Sequence, residues 1–339
     1  MHEEQGPPLR ALFAAGEARQ RAWQYWVTDT AVGWRNTAVH HALRAFSIDR
    51  CSHFGSVMSR LVPRRFPDAD KQARRNLLAL RPEASDPVWL DNAMRRLWDN
   101  AGRTMAEFSV LHRLWGAGHI HVDGIEHALA VKRSGQPLLV AGVHLGNWEL
   151  IGVVGISHGI NGAAIYMPPD NRFEHRIATA VRRRFGGEPI PPTSRTMLDA
   201  RRVIVEERNA LVIYVDEHTR GRVQAPAFGR RIEPSTNIDY IVRLALATDA
   251  AIVPAYCLRR HGSAHFDFRV LPPLNLVRTD RASRDIAENV EQLNAIIEPV
   301  ILANLDQWFY LPDLELPAPA PKRKNKKDKS KKKRPKAAT

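Results

Sequence analysis

Cysteine is scarce in this chain: its two residues, Cys51 and Cys257, stand far apart and form no CxxC or His-Cys cluster. That excludes a disulfide framework and a cysteine-built zinc site, and it points to a reduced, cytoplasmic setting. Long apolar runs are also missing. No stretch reaches the ~18 residues that crossing a bilayer requires, since the longest candidate, residues 150–166, is broken by His158, Asn161 and several glycines. The N-terminus has no cleavable signal sequence, because Glu3 and Glu4 replace a basic start and no uninterrupted apolar core follows. No internal repeat is present.

What is there suits one large α/β body, with 339 residues of which 44% are hydrophobic. Residues 137–143, 211–215 and 251–256 are short continuous apolar runs of the kind that make buried parallel strands, and 265–270 alternates like a more exposed one. Helical patterns cover about residues 170–185, 195–207, 237–248 and 281–304. Residues 1–120 read as a mainly helical region ending near Gly116-Ala117-Gly118, residues 121–316 as the α/β core, and residues 317–339 as a Pro- and Lys-rich tail. The expected fold is therefore a largely parallel sheet flanked by helices, with a helical N-terminal layer and a disordered tail.

Charge is concentrated at that tail. Residues 322–339 hold eleven Lys or Arg against one Asp, a net +10, which leaves +4 of the formal +14 for the other 321 residues. Such a run could dock on an anionic membrane at ~1 kcal/mol per basic residue near the headgroups, bind nucleic acid, or simply solubilise the chain. Nucleic acid is not favoured, because no aromatic-rich RNA platform or helix-turn-helix pattern accompanies it. At the other end, Trp23, Trp26, Val27, Ala31, Trp34, Ala38, Ala42 and Ala45 recur at helical spacing beside Arg19, Arg21, Arg35 and Arg44. The pattern fits an in-plane interfacial helix and equally an amphipathic helix packed on the core.

Residues 143–150, Val-His-Leu-Gly-Asn-Trp-Glu-Leu, carry the chemistry. They set His144 and Glu149 five positions apart where an apolar strand passes into a helix, at the carboxyl edge that holds the sites of open α/β sheets. A neutral imidazole can take a proton from a hydroxyl while its other nitrogen donates to an orienting carboxylate, and Glu149 is the expected orienter. Gly146 permits close backbone approach, and the Gly146-Asn147 turn at the helix N-terminus could offer N–H groups to a developing oxyanion. On spacing alone a surface His-Glu pair looks the same. Asp216, after the apolar run 211–215, belongs to the same edge; it could orient the catalytic loop, bind acceptor groups, or be a plain strand-end turn. Arg182, Arg183 and Arg184 end a helix, and one of them, Arg184 by preference, could clamp a phosphate bidentately.

With these residues in view, the chain resembles the lysophospholipid acyltransferase superfamily, and within it the bacterial lipid A late acyltransferases, whose signature reads H-x-G-N-W-E. Residues 73–77 and 100–107 are similar to the family's R-x-N-L and N-x-G-R-x-x-x-E blocks; residues 165–168, 214–217, 227–230 and 252–254 follow in the family's order. The likeness covers roughly residues 60–312. It implies a glycerolipid acyltransferase-like fold and transfer of a fatty acyl group, from acyl carrier protein or coenzyme A, to a hydroxyl of a membrane lipid. A lipid A precursor is the favoured acceptor, with a lysophospholipid or glycolipid as alternative. No metal or cofactor is expected, and no Ser or Cys intermediate is required, because the acceptor itself attacks. Gly229, Arg230 and Thr236 resemble the loop that lines the family's acceptor cleft, although a surface turn would look the same. The resemblance also implies that the enzyme lies peripherally on the cytoplasmic face of the inner membrane, contacting the anionic leaflet through its N-terminal helix, to which the basic tail would add. Met167, where many members carry arginine, and a C-terminal block reduced to residues 305–312 depart from the family and leave the acceptor open. An inactive membrane-associated scaffold is the rival reading, which retention of His144 and Glu149 opposes.

Overall fold

The computed structural model describes residues 6–82, 85–185, 189–219 and 222–317. Among the described residues nine strands are formed: β1 (Ile120–Asp123), β2 (Leu138–Gly142), β3 (Gly162–Ile165), β4 (Pro189–Ile190), β5 (Ala210–Tyr214), β6 (His218–Thr219), β7 (Arg222–Val223), β8 (Ala251–Arg259) and β9 (Phe266–Val270). Strands β6 and β7 make a small antiparallel pair; the other seven form one sheet in the order β1-β9-β8-β2-β5-β3-β4. Every neighbour in it is parallel except β8 and β9. The largely parallel sheet flanked by helices is thus the one expected.

Continuous apolar strands are central here because both faces are covered. On one face Leu139, Leu211 and Ile252 meet Leu77, Met94 and Leu97 from the helices Pro67–Leu80 and Pro87–Glu107, with Ile241 and Leu293 from the helices Asn237–Thr248 and Ala282–Ala303. On the other face Val253 and Phe266 meet Leu150 and Val153 of the helix Leu150–Ser157, together with Cys51, Leu111 and Leu114. The helices of the first 114 residues therefore feed both cores. Cys51 and Cys257 are buried free thiols, each pushed up to about 12 by burial, as small core residues would be.

Local differences from the expected elements have local causes. The helix after β2 starts only at Leu150, because residues 145–149 form a tethered turn. The pattern at 195–207 becomes Thr196–Arg201 followed by a widened π-turn, Arg202–Glu206. In the N-terminal region Trp23 and Trp34 are exposed, whereas Trp26 is half-buried and donates to the Pro7 carbonyl; the tryptophans do not share one solvent-facing stripe. No helix among the described residues is long and apolar enough to cross a membrane. The basic tail lies outside the described residues, apart from Pro317.

The helices Ile48–Ser59 and Pro87–Glu107 cross at backbone contact through two glycines. A Cβ at Gly102 would lie 2.5 Å from the Gly55 carbonyl oxygen, and one at Gly55 would lie 2.3 Å from that of Gly102. Alanine favours a helix over glycine by ~1 kcal/mol, but overpacking costs ~1–3 kcal/mol. The clash should win, so Gly102→Ala is expected to lower the urea unfolding midpoint; a raised midpoint would show that the helices separate freely.

Candidate active site

His144 is fixed by sheet register. Strands β2 and β5 are parallel neighbours with Gly142 opposite Tyr214. Two residues further along each strand, at the carboxyl edge, stand His144 and Asp216. Asp216 is fully buried, and its Oδ1 lies 2.8 Å from His144 Nδ1. Its Oδ2 accepts from the His144 backbone N–H at 2.8 Å and from Trp308 Nε1 at 2.9 Å. A buried carboxylate with three donors is a satisfied one, and it assigns the Nδ1–H tautomer, which leaves the lone pair on Nε2.

Glu149 does not hold the imidazole. Its carboxylate takes a two-pronged ion pair from Arg182, with Nη2 at 2.5 Å and Nε at 3.1 Å. The physical reason is the turn between them. Gly146 adopts a left-handed φ of 56°, and a Cβ there would meet the Cys257 carbonyl oxygen at 2.6 Å. The turn delivers Glu149 to the helix Arg172–Arg182, while the neighbouring strand supplies the orienter.

The oxyanion donors expected at the Gly146-Asn147 turn are otherwise engaged. The Gly146 N–H donates to the Gln307 carbonyl, and the Asn147 backbone N–H points to the Cys257 thiol. The Asn147 side chain donates to Glu107 at 2.9 Å. These residues brace the turn. Behind them, Arg259 and Glu107 form a buried two-pronged ion pair at 2.5 and 2.9 Å. Arg259 also donates to Asn100 and Thr104, both of which in turn donate to the Gly146 carbonyl. The N-x-G-R-x-x-x-E block thus acts as scaffold for the catalytic turn. Arg259, Trp308 and Gln307 escaped the sequence reading; the one signal for Arg259 was an arginine ending a buried apolar strand.

The other expected site residues divide. Gly229, Arg230 and Thr236 are not brought to His144. Arg230 donates to the carbonyls of Val223, Gln224, Pro226 and Ala227 and so ties its own loop. Thr236 is the N-cap residue of Asn237–Thr248 and donates to the Glu233 carbonyl, and Gly229 sits in a turn at φ 76°. Arg184 faces a different cleft, whereas Arg182 reaches the catalytic one.

A cavity of about 210 Å³ opens at His144 and runs along the sheet beneath the helix Leu150–Ser157. Its walls are apolar, including Val140, Ile151, Val154, Val212, Val253 and Phe268, and polar groups gather at His144, Glu149, Tyr166, Arg182 and Glu217. The Tyr214 ring lies 4.3 Å from the imidazole and its hydroxyl donates to the Trp148 carbonyl. Burial, followed by the charge of Glu149, pushes that phenol well up, so it serves as a neutral donor. Burial also raises the Glu217 carboxyl, with Asp216 adding to the shift. Arg182 Nη1 and Tyr166 Oη are buried without a hydrogen-bond partner among the described residues.

A carboxylate-held imidazole beside an apolar slot, on a largely parallel α/β sheet, is an arrangement that suits transfer of an acyl chain. The sequence matches the model of the bacterial lipid A biosynthesis acyltransferases over residues 18–314, and the chain belongs to that family. No curated protein matches the sequence. A solved structure to which it is similar is the 1-acyl-sn-glycerophosphate acyltransferase PlsC from Thermotoga maritima, at 11% identity and a TM-score of 0.32, covering 80% of this chain and 98% of that one.

If Asp216 is the orienter, Asp216→Asn should keep the fold but lower turnover by about 10²-fold or more, and adding it to His144→Ala should cost little further. Steady-state kinetics of the single and double variants checks this; losses that multiply would give Asp216 an independent role.

Proposed function

We propose that the enzyme moves a fatty acyl group from a thioester donor, acyl carrier protein or coenzyme A, to a hydroxyl of a lipid A precursor. The observation that carries this reading is the joining of the Asp216-held His144 to the apolar cavity in a chain of this family. His144 Nε2 takes the hydroxyl proton as the acceptor oxygen bonds to the thioester carbonyl carbon, whose π pair moves onto oxygen. Collapse re-forms the carbonyl and breaks the C–S bond, and the proton passes from the imidazolium to the leaving thiolate. Arg182, anchored by Glu149, lying 4.4 Å over the Tyr166 ring and with no hydrogen-bond partner for Nη1 among the described residues, is the cation we assign to the oxyanion. The acyl chain occupies the apolar cavity. His144→Ala should cut transfer by about 10² to 10⁴ without unfolding the protein, read by mass spectrometry of acylated lipid; near wild-type product would sink the mechanism.

We further propose that the enzyme works peripherally on the cytoplasmic face of the inner membrane. Support comes from the exposed apolar side chains of the N-terminal region, Phe13, Trp23, Val27 and Trp34 among them, and from the tail's net +10. Removing residues 322–339 should weaken binding to anionic liposomes most at low salt, because exposed charges are screened beyond ~10 Å at 0.1 M. Co-sedimentation that stays the same at every ionic strength would leave the tail a solubilising segment.

A further inference from the structure

A second cleft, of about 320 Å³, lies between the N-terminal helix Asp29–Leu43 and the helix Arg172–Arg182 and shares no lining residue with the catalytic cavity. Two helical stripes build it. One carries Thr37, His40, His41 and Arg44 at the i, i+3, i+4, i+7 spacing of a single face; the other carries Arg176, Ala180 and, just past the helix end, Arg184 at spacings of four. His112 closes one side. The two walls are held together by Asn36, which donates to Glu174 at 2.6 Å, and by Gly33, which gives the Phe173 ring room that no Cβ could share.

Among the described residues the lining contains three arginines and three histidines and no carboxylate. Arg44 and Arg184 have no ion-pair partner among the described residues. These groups converge: the charges of Arg44 and Arg184 both act on His40 and on His112, and His41 and His112 act on His40 as well. Burial and this surrounding charge hold His40 down to about 4, so it is neutral near pH 7 and its Nδ1 lies 3.0 Å from the Ser109 hydroxyl. Like charges gathered in a half-enclosed cleft destabilise the fold unless an anion joins them. Guanidinium groups from two walls suit a tetrahedral, multiply charged oxyanion, which can accept from both at once.

We propose that this cleft is a phosphate-binding site, distinct from the catalytic cavity, that takes a phosphomonoester or pyrophosphate group. Arg44 and Arg184 grip the group from opposite walls, Arg176 adds charge, and the histidines become donors as the bound anion raises their proton affinity. The proposal goes beyond the acyl-transfer reading and does not depend on which acceptor is used. It also has a consequence in pH. Because His40 is held below its ordinary 6.5, the unfolded chain binds a proton that the folded one refuses between pH 6.5 and about 4, so stability falls as pH falls through that window. A bound phosphate opposes that loss.

The test is calorimetric titration of the full-length protein with inorganic pyrophosphate at about pH 6 and pH 8, beside thermal unfolding with and without the ligand. Binding is expected at both, tighter at the lower pH, with a larger upward shift in melting temperature there. Arg44→Gln with Arg184→Gln should weaken it by about tenfold or more, the loss of two charge-assisted contacts. Should that pair misfold by circular dichroism, Arg176→Gln with His112→Asn replaces it. His144→Ala should bind pyrophosphate as the wild type does, so failure of the catalytic reading and failure of this one are told apart. Displacement by coenzyme A assigns the site to a nucleotide-borne phosphate, displacement by vesicles containing phosphatidic acid to a lipid headgroup, and displacement by neither to free phosphate. No binding to the wild type, or equal binding to the arginine variants, overturns the proposal.

Discussion

The fully buried carboxylate of Asp216 is the point on which this structure turns. An ionised carboxylate stripped of water is costly unless donors surround it. Here three do, and each belongs to a different part of the molecule: the His144 imidazole, the His144 backbone and the Trp308 indole. Satisfying one charge therefore aligns the catalytic strand, fixes the imidazole and draws the C-terminal segment across the sheet edge. The Phe309 N–H completes that link by donating to the His144 carbonyl.

The same logic repeats one layer out with Arg259 and Glu107. Their pairing brings the end of β8 against the helix Pro87–Glu107, and its spare valences go to Ser52, Asn100, Thr104 and Asn147. Breaking a buried pair by removing one partner costs ~3–5 kcal/mol, because the other charge is left unmatched. What the network does for chemistry is positional. It engages the Gly146 carbonyl and the Asn147 amide and so braces the turn that sends His144 and Glu149 in different directions.

That divergence separates two tasks that an HxxxxE spacing suggests are one. His144 is oriented by Asp216, and Glu149 instead orients Arg182 at the rim of the same cavity. In the proposed mechanism, base and cation then approach the reacting carbonyl from different elements, each with its own carboxylate. A family member that replaced Glu149 would on this view disturb the cation before it disturbed the base.

Much of the fold was legible in the sequence because burial writes itself locally. The apolar runs at 137–143, 211–215 and 251–256 are strands covered on both faces, and the 237–248 pattern is the helix Asn237–Thr248. His144, Glu149 and Gly146 were legible too, since a base, a carboxylate and a left-handed turn residue stand together in the chain. Partnership was not. Asp216 is 72 residues from His144 and becomes its partner only because β5 lies beside β2 in register, a fact of strand order that no local pattern encodes. Arg184 reads like Arg182 in sequence, but the helix turns them to different clefts. Gly229, Arg230 and Thr236 read as cleft residues and instead tie or end their own segments. Sequence alone determined which residues could do acid–base chemistry and which segments must be buried, because both follow from side-chain type and short-range periodicity. Only the tertiary structure decided which carboxylate serves which cation or imidazole, because a buried charge takes the donors that packing brings to it.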